Sequence, residues 1–496
     1  MNKNKIVAIA AASILLVGTS CKKSFFDINH NPNTATESLI TPDLILPNAL
    51  YSTAALVGAN GSLRFVDMWM GHWSPSGSFA PSTEESTYNI TNTFGNGIWT
   101  GAYNTLFDLK ELERKSAAAG LPFHRAASLV SQVVLWQQLV DVYGDIPYTK
   151  ALDVANNPAP SYDKAEDIYK DLQVKLDTAI AIMKGYTVAS KSNIPSLDVI
   201  FNGNTGMWVK FANTLKLRLL IRQSQVNANP TAELAKITAN GLLGAGENVQ
   251  VTVEYTNVAG KQSPFYALYG KKPDGNDAND YSRANTYIVN VLKNSSDPRL
   301  NLFFKAPSAG GAVTGTTYGA PTSANPDGTH SSNIGIALTK SYSQPQWLLT
   351  STEALFIRAE AIARGWLPGD AKTAYEAAVK ESFVWLGVPD PTTALASYLT
   401  QSIADFANAG TTADSQSKFI VNQKYIALTG IDPMEVWSDY RRLGIPASNA
   451  ILSVNPDRGT NPIPVRLLYP LSEFSVNSAN VPKGINQFTS NIFWDK

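Results

Sequence analysis

Four histidines (His30, His72, His124, His330) and one cysteine (Cys21) are the side chains best suited to nucleophilic or metal chemistry in this 496-residue chain. A zinc protease needs two histidines one helical turn apart with a glutamate between them, and none of the four sits in HExxH. No GxSxG presents a serine on a sharp turn. No GxxxxGKS/T cradles a phosphate, because the Gly-Lys pairs at Gly260 and Gly270 lack the following hydroxyl. A carboxylate pair for glycoside hydrolysis is defined by a spatial separation of ~5–10 Å, so it stays open, but none of the 40 acids stands out. The loop Asp274-Gly275-Asn276-Asp277-Ala278-Asn279-Asp280 offers hard oxygen ligands to calcium. Yet Ala278 occupies a ligand position and Asn285 stands where an EF-hand has its glutamate. It reads as a solvated turn, and no metal or cofactor is expected.

A lone cysteine has no partner for a disulfide or a CxxC metal site, so its neighbours decide its role. Lys3 and Lys5 lead, residues 6–17 form an uncharged and mostly aliphatic run of twelve, and Gly18, Thr19 and Ser20 are small. That is the order of a secretory signal. It is too short to span a bilayer, which takes ~20 apolar residues. A cysteine at the cleavage position matches a bacterial lipoprotein signal, in which residues 1–20 are removed and Cys21 is acylated. Gly18 stands where such signals usually carry leucine; the alternative is an ordinary signal peptide with an incidental cysteine.

Lys plus Arg equals Asp plus Glu at 40 each, so no overall field draws in nucleic acid. No later run of 18 apolar residues appears, so only a lipid would hold the chain to a membrane. Apolar residues make up 44% and charges 16%, the composition of an ordered extracytoplasmic protein with long loops.

The elements that must position any site are mostly helical and come in pairs. Trp99, Tyr103, Leu106 and Leu109 recur at helical spacing in residues 94–119, as do Leu129, Val133, Trp136 and Val140 in 124–143. Further helices are expected at 162–184, 206–226, 352–364, 369–383, 415–429 and 433–443, the 206–226 segment being apolar on nearly every side. Alanines in AEAIARG…AKTAYEAAV sit where two helices approach closely, the pattern of a tetratricopeptide-type hairpin. Between these halves Val249, Val251, Val253 and Tyr255 alternate as a strand. Residues 260–333 are loop-rich, with a helix only around 284–293. The expected fold is mostly α: tetratricopeptide-like hairpins at about 94–226 and 347–443, a loop-rich insertion at about 249–345 and minor strands, all one domain over 21–496.

Several blocks in order now carry a resemblance: DINHNPN before LITPDLILPNAL, YGDIPY, MWVKFANTLKLRLLIR, SDPRL, EALFIRAEAIARG, QKYIALTGIDPMEVWSDYRRLG and RLLYPLSEFSVN. Together with the leader they resemble the SusD/RagB family of outer-membrane nutrient-binding lipoproteins, in its SusD-like second branch. The resemblance implies a non-catalytic protein anchored by lipid in the outer membrane, facing the cell exterior. It also implies a TonB-dependent transporter of the SusC type as partner. Such proteins usually bind glycans, some bind peptides, and the ligand contacts do not carry over residue by residue. From a different class, a surface glycoside hydrolase or a protein-only tetratricopeptide adaptor remains an alternative.

Ligand contacts are therefore ranked on physical grounds. Sugar faces stack on aromatic rings while their hydroxyls need polar groups at the rim. MWMGHWSPSGSF, residues 68–79, sets Trp69, Trp73 and Phe79 among Gly, Ser and Pro, so Trp73 leads as an oligosaccharide platform, followed by Phe79 and Trp69. Tyr269, Tyr281 and Tyr318 follow from the insertion, with Arg283 as a polar contact. Trp99, Trp136, Trp208, Trp385 and Trp437 lie on helical apolar faces and read as core.

Cys21→Ala is expected to release the protein from the membrane fraction and abolish labelling by a palmitate analogue, since acyl chains bind at ~0.8 kcal/mol per buried CH₂. A membrane-bound mutant that still labels would refute the anchor.

Overall fold

The structure, a computed structural model, describes residues 39–58 and 61–495. Cys21 and the leader lie outside the described residues. Among the described residues the first helix, α1 (Pro42–Leu56), starts on a proline, whose fixed φ suits a first turn. Its spacing does not announce it: Leu44, Ile45, Leu46, Ala49 and Leu50 crowd together around Pro47, leaving no clean stripe. After the short α2 (Arg64–Trp69), the long helices come in pairs as expected. They are α3 (Asn96–Ala118) with α4 (Pro122–Tyr143), α5 (Ala165–Lys184) with α6 (Thr205–Arg222), α7 (Ser351–Ala363) with α8 (Ala371–Leu386), and α9 (Ala413–Ala427) with α10 (Pro433–Leu443).

Side chains mark where these helices begin. Thr350, Asp370, Thr412 and Asp432 each accept a hydrogen bond from a first-turn backbone N–H of α7, α8, α9 and α10. Packing runs along the chain: α3 on α4, α4 on α5, α5 on α6, then α6 on α7, with α7 on α8 and α9. Ala354, Ala359, Ala361, Ala363 and Ala378 are buried where α7 meets its neighbours, the close approach that the alanine pattern foretold. α6 is buried nearly all round, and Trp208 within it donates from Nε1 to Asp198 at 2.9 Å. The protein is mostly α.

Among the described residues there are six short strands, in chain order β1 (Trp73–Pro75), β2 (Ile146–Pro147), β3 (Tyr162–Asp163), β4 (Val249–Val251), β5 (Ser282–Ala284) and β6 (Gln346–Leu349). They pair antiparallel as β1–β5, β2–β3 and β4–β6. The strand expected through Tyr255 stops at Val251, because the Thr252 N–H turns away to the Val199 carbonyl at 2.9 Å. The helix expected from residue 284 begins two residues later, at Thr286–Asn294. Ala284 is taken by β5, and the Asn285 side chain caps the helix by accepting from Tyr287 N–H at 2.8 Å.

At the centre of the helical stack lies a lattice of buried charges. Arg222 of α6 bridges Asp141 of α4 (3.2 Å) and Glu435 of α10 (2.6 Å). Lys424 of α9 contacts Glu435 and, at 3.0 Å, Asp439. Arg442 reaches Glu360 of α7 (2.5 Å) and Asp439 (2.7 Å), and Arg218 reaches Glu353 (3.2 Å). Removing one partner from the pairs held by Arg222, Lys424 and Arg442 strands a buried charge, at a cost of ~3–5 kcal/mol. Burial opposes the ionisation of Glu360, but Arg442 and Arg364 outweigh it and pull the carboxyl down to about 2. Glu353 goes the other way: burial and the neighbouring Asp432 push it up to about 8 against the pull of Arg218.

With a folded value above the 4.5 of the free side chain, Glu353 contributes stability that is full below that value and lost as pH rises through about 8. Glu353→Gln locks the neutral form. The variant is expected to melt above the parent at pH 9, with a gap that shrinks toward pH 5. A gap independent of pH would show Glu353 to be ionised throughout.

Candidate functional site

β1 and β5 form the support for the loop that carries the predicted site residues, with Trp73 opposite Ala284, Ser74 opposite Arg283 and Pro75 opposite Ser282. The structure corrects the leading expectation. Trp73 is 0% exposed, its ring tilted against Tyr269 with centroids 4.9 Å apart. Gly430 has φ +68 and lies so close that a Cβ there would meet the Trp73 ring at 2.9 Å. Trp69 is also 0% exposed, stacked on Phe94, edge-on to Trp437 and donating to the Glu85 carbonyl at 3.0 Å. Tyr269 and Tyr318 are buried too, and the Tyr318 hydroxyl donates to the Glu85 carbonyl at 2.9 Å. Arg283 spends its donors on the carbonyls of Asn279, Ser282 and Gly328. These five offer no free face to a ligand. The glycines, serines and prolines around Trp73 build tight turns that carry the rings inward; they do not make an open loop.

Two predicted residues stay at the surface, and the structure brings them together. Phe79 is 40% exposed, and its ring lies 5.5 Å from that of half-buried Tyr281, tilted by 59°. The loop holding them is knitted by backbone bonds: Ser76 N–H to the Tyr281 carbonyl (2.8 Å), Gly77 N–H to Pro326 (2.9 Å) and Phe79 N–H to Ser76 (3.1 Å). Gly77 is required there, since a Cβ would sit 2.3 Å from the Asn325 carbonyl oxygen. Ser78 accepts from Gly328 N–H at 3.0 Å, which ties the 325–330 loop to the same face. Asp280, Asp327 and His330 supply an exposed polar rim, with Asp327 accepting from Thr329 and His330.

Arg64, at the start of α2, was not among the expected contacts, although a lone cation in an apolar stretch is a visible signal. Its guanidinium lies 4.5 Å over the Tyr281 ring. Glu85 sits nearby at 3.9 Å, its carboxyl pushed up to about 7 by burial against the pull of Arg64 and Tyr318. Burial pushes the Tyr281 hydroxyl up to about 12, so the ring stays neutral. The arrangement suits stacking and hydrogen bonding.

Other sites fit less well. The His72–Asp67 pair, 3.0 Å apart, is 0% exposed on both sides and covered by Tyr425, so no substrate reaches it. Among the described residues no cluster of three or more His, Cys, Asp or Glu could hold a metal ion. In the acidic loop Asp274 accepts from Asn276 N–H and Asp277 pairs with Lys271 at 3.0 Å. A cavity inside the charge lattice measures about 30 Å³, against roughly 300–1,000 Å³ for ligand pockets. A cleft of about 620 Å³ beside Lys418, Asn449, Asn491 and Asp495 offers a single ring, Tyr440.

The fold is a helical-hairpin scaffold, and this loop-built face is its candidate binding surface. The SusD-like_2 family profile, described as starch-binding associating with outer membrane, matches residues 32–470, and the chain belongs to that family. Membership makes it a nutrient-binding protein of the outer membrane, of a kind that binds without catalysis. A SusD homologue from Bacteroides fragilis superposes with TM-score 0.74 at 22% identity, covering 92% of this chain and 99% of that one. A chitin-binding SusD homologue from Flavobacterium johnsoniae gives 0.74 at 23%, over 90% and 98% of the two chains. A SusD-like protein from Bacteroides thetaiotaomicron gives 0.71 at 23%, over 91% and 98%. At these identities the likeness establishes the fold. No curated protein matches the chain.

Burial makes Trp73 a core residue, so Trp73→Ala should leave a cavity costing ~3–5 kcal/mol. A circular dichroism melt is expected to show a clearly lowered midpoint; an unchanged one would return the ring to the surface.

Proposed function

We propose that this protein is a lipid-anchored binding protein on the exterior face of the outer membrane. It captures an oligosaccharide on the Phe79–Tyr281 face and hands it to a TonB-dependent transporter of the SusC type. The observation that carries the ligand reading is the paired rings held at the surface by a hydrogen-bonded loop, with hydroxyl, amide and carboxylate groups around them. Flat sugar faces stack on such rings, and the rim meets their hydroxyls. The chitin-binding relative supports a glycan as the ligand class. Cys21 supplies the anchor, and its twelve-residue apolar run is the support for that.

Capture coupled to transport must be reversible, so the expected affinity is micromolar to millimolar, roughly −8 to −4 kcal/mol. One ring contributing ~1–3 kcal/mol is then a large share. Phe79→Ala and Tyr281→Ala should each weaken binding of the glycan identified on an array by about tenfold or more in calorimetric titration, a figure equal to ~1.4 kcal/mol. Phe79→Ala should melt as the parent does. If both variants bind normally, the ligand face lies elsewhere and the Tyr440 cleft becomes the leading site.

A further inference from the structure

Several buried arginines of this protein spend most of their donors on protein acceptors, whereas Arg64, at the edge of this face, does not. Arg299 donates to Asp297, Ser382 and Tyr398; Arg442 donates to Glu360, Asp439 and Ser224; Arg283, beside the rings, donates to three carbonyls. The Arg64 side chain makes no hydrogen bond among the described residues. Its nearest acid, Glu85, stands at 3.9 Å, beyond hydrogen-bonding reach, and its Nε is buried without a partner. Its side chain is 39% exposed, and its guanidinium carbon lies 4.5 Å from the centroid of the Tyr281 ring, which adjoins Phe79. A guanidinium fork presents parallel N–H groups that match a carboxylate or sulfate, and stacking on an aromatic ring holds its plane.

We infer that the ligand taken by this face carries an anionic group, a uronic acid carboxylate or a sulfate ester, and that Arg64 receives it while an adjoining sugar ring stacks on Phe79. The inference rests on the Phe79–Tyr281 reading of the site. Of the carboxylates nearby only Glu85 pairs with the guanidinium, and at 3.9 Å it leaves the N–H groups without a hydrogen bond. Glu85 is buried and its charge is only partly expressed near neutral pH. Asp327 is held by Thr329 and His330, Asp280 acts on Arg283, and Glu84 accepts from Thr91 N–H. The same acids repel a dense polyanion. The face therefore selects an oligosaccharide with isolated acidic residues over a highly charged one.

Matched pairs of oligosaccharides test this directly: uronic-acid-bearing molecules against the same molecules with the carboxyl reduced to an alcohol, and monosulfated molecules against their desulfated forms. Titration is expected to show at least tenfold preference for the acidic member of one series, which also says whether carboxylate or sulfate is read. Arg64→Gln should abolish the preference while leaving Phe79-dependent binding of the neutral member, and Arg64→Lys should retain part of it. Raising salt should narrow the gap in the parent and not in Arg64→Gln. Equal binding of both members, unchanged in Arg64→Gln, overturns the inference and leaves the ring platform intact. Binding of no oligosaccharide, or of acidic peptides in their place, sinks the platform reading and this inference with it. Melting curves for both Arg64 variants guard against misfolding, which the exposed and unbonded side chain gives no reason to expect.

Discussion

Arg222 cannot be buried alone. Placed among Asp141, Glu435 and the ring of Trp494, it makes sense only when α4, α6, α10 and the C-terminal segment are all in position. The same holds for Lys424 between Glu435 and Asp439, and for Arg442 between Glu360 and Asp439. Desolvating these ions costs several kcal/mol each, so the lattice adds little net stability. What it supplies is register. A helix slipped by one residue would leave a charge facing apolar side chains, and such states are far more unfavourable than a slip in a purely aliphatic core. Trp494 and Trp437 close the lattice: Trp494 Nε1 donates to Asp141 at 2.9 Å, and Arg441 lies 3.9 Å over Trp437.

The candidate binding face inherits its shape from that centre through a short chain of contacts. α10 carries Trp437, whose indole meets Trp69 of α2 edge-on at 5.9 Å. A tight turn after Trp69 delivers Trp73 into β1, and the next residues form the Ser76–Phe79 loop. Buried Trp69, Trp73, Tyr269 and Tyr318 are thus the foundation of the site, and Phe79 and Tyr281 are what it exposes. Rings fixed in this way lose little conformational freedom on binding, so modest stacking survives as affinity.

Most of the scaffold was legible because amphipathic helices announce themselves. Trp99, Trp136 and Trp208 sit at 3.6-residue spacing and are core, as their positions imply. α1 escaped because its apolar residues are continuous around Pro47. The site was half legible. Composition around residues 68–79 points to a segment that does reach the surface at Phe79, but the Trp73 it favours is buried. Glycine and serine signal an irregular backbone; whether an aromatic in it faces in or out depends on partners more than a hundred residues away, such as Gly430 and Ala284. Arg64 shows the same limit, since its place over the Tyr281 ring and 3.9 Å from Glu85 is a fact about space and not about sequence.

Few rings are exposed on this face although aromatics make up 10% of the chain, and the reason is physical. Each extra exposed ring would widen an apolar patch on a protein that faces water, inviting association with other surfaces. Each would also deepen affinity, and a ligand held too tightly leaves slowly, because affinity among related complexes is set mostly by dissociation. On the proposed reading, two rings give enough stacking to detain a sugar and little enough to release it. Selectivity must then come from groups that add discrimination without much net attraction. Hydrogen-bonding side chains at the rim do this, because a mismatched ligand leaves them desolvated and unpaired while a matched one merely replaces water. A rigid loop makes that penalty effective: Ser76, Gly77 and Ser78 are pinned by bonds to the 280–281 and 325–328 segments, so the rim cannot relax around a wrong ligand.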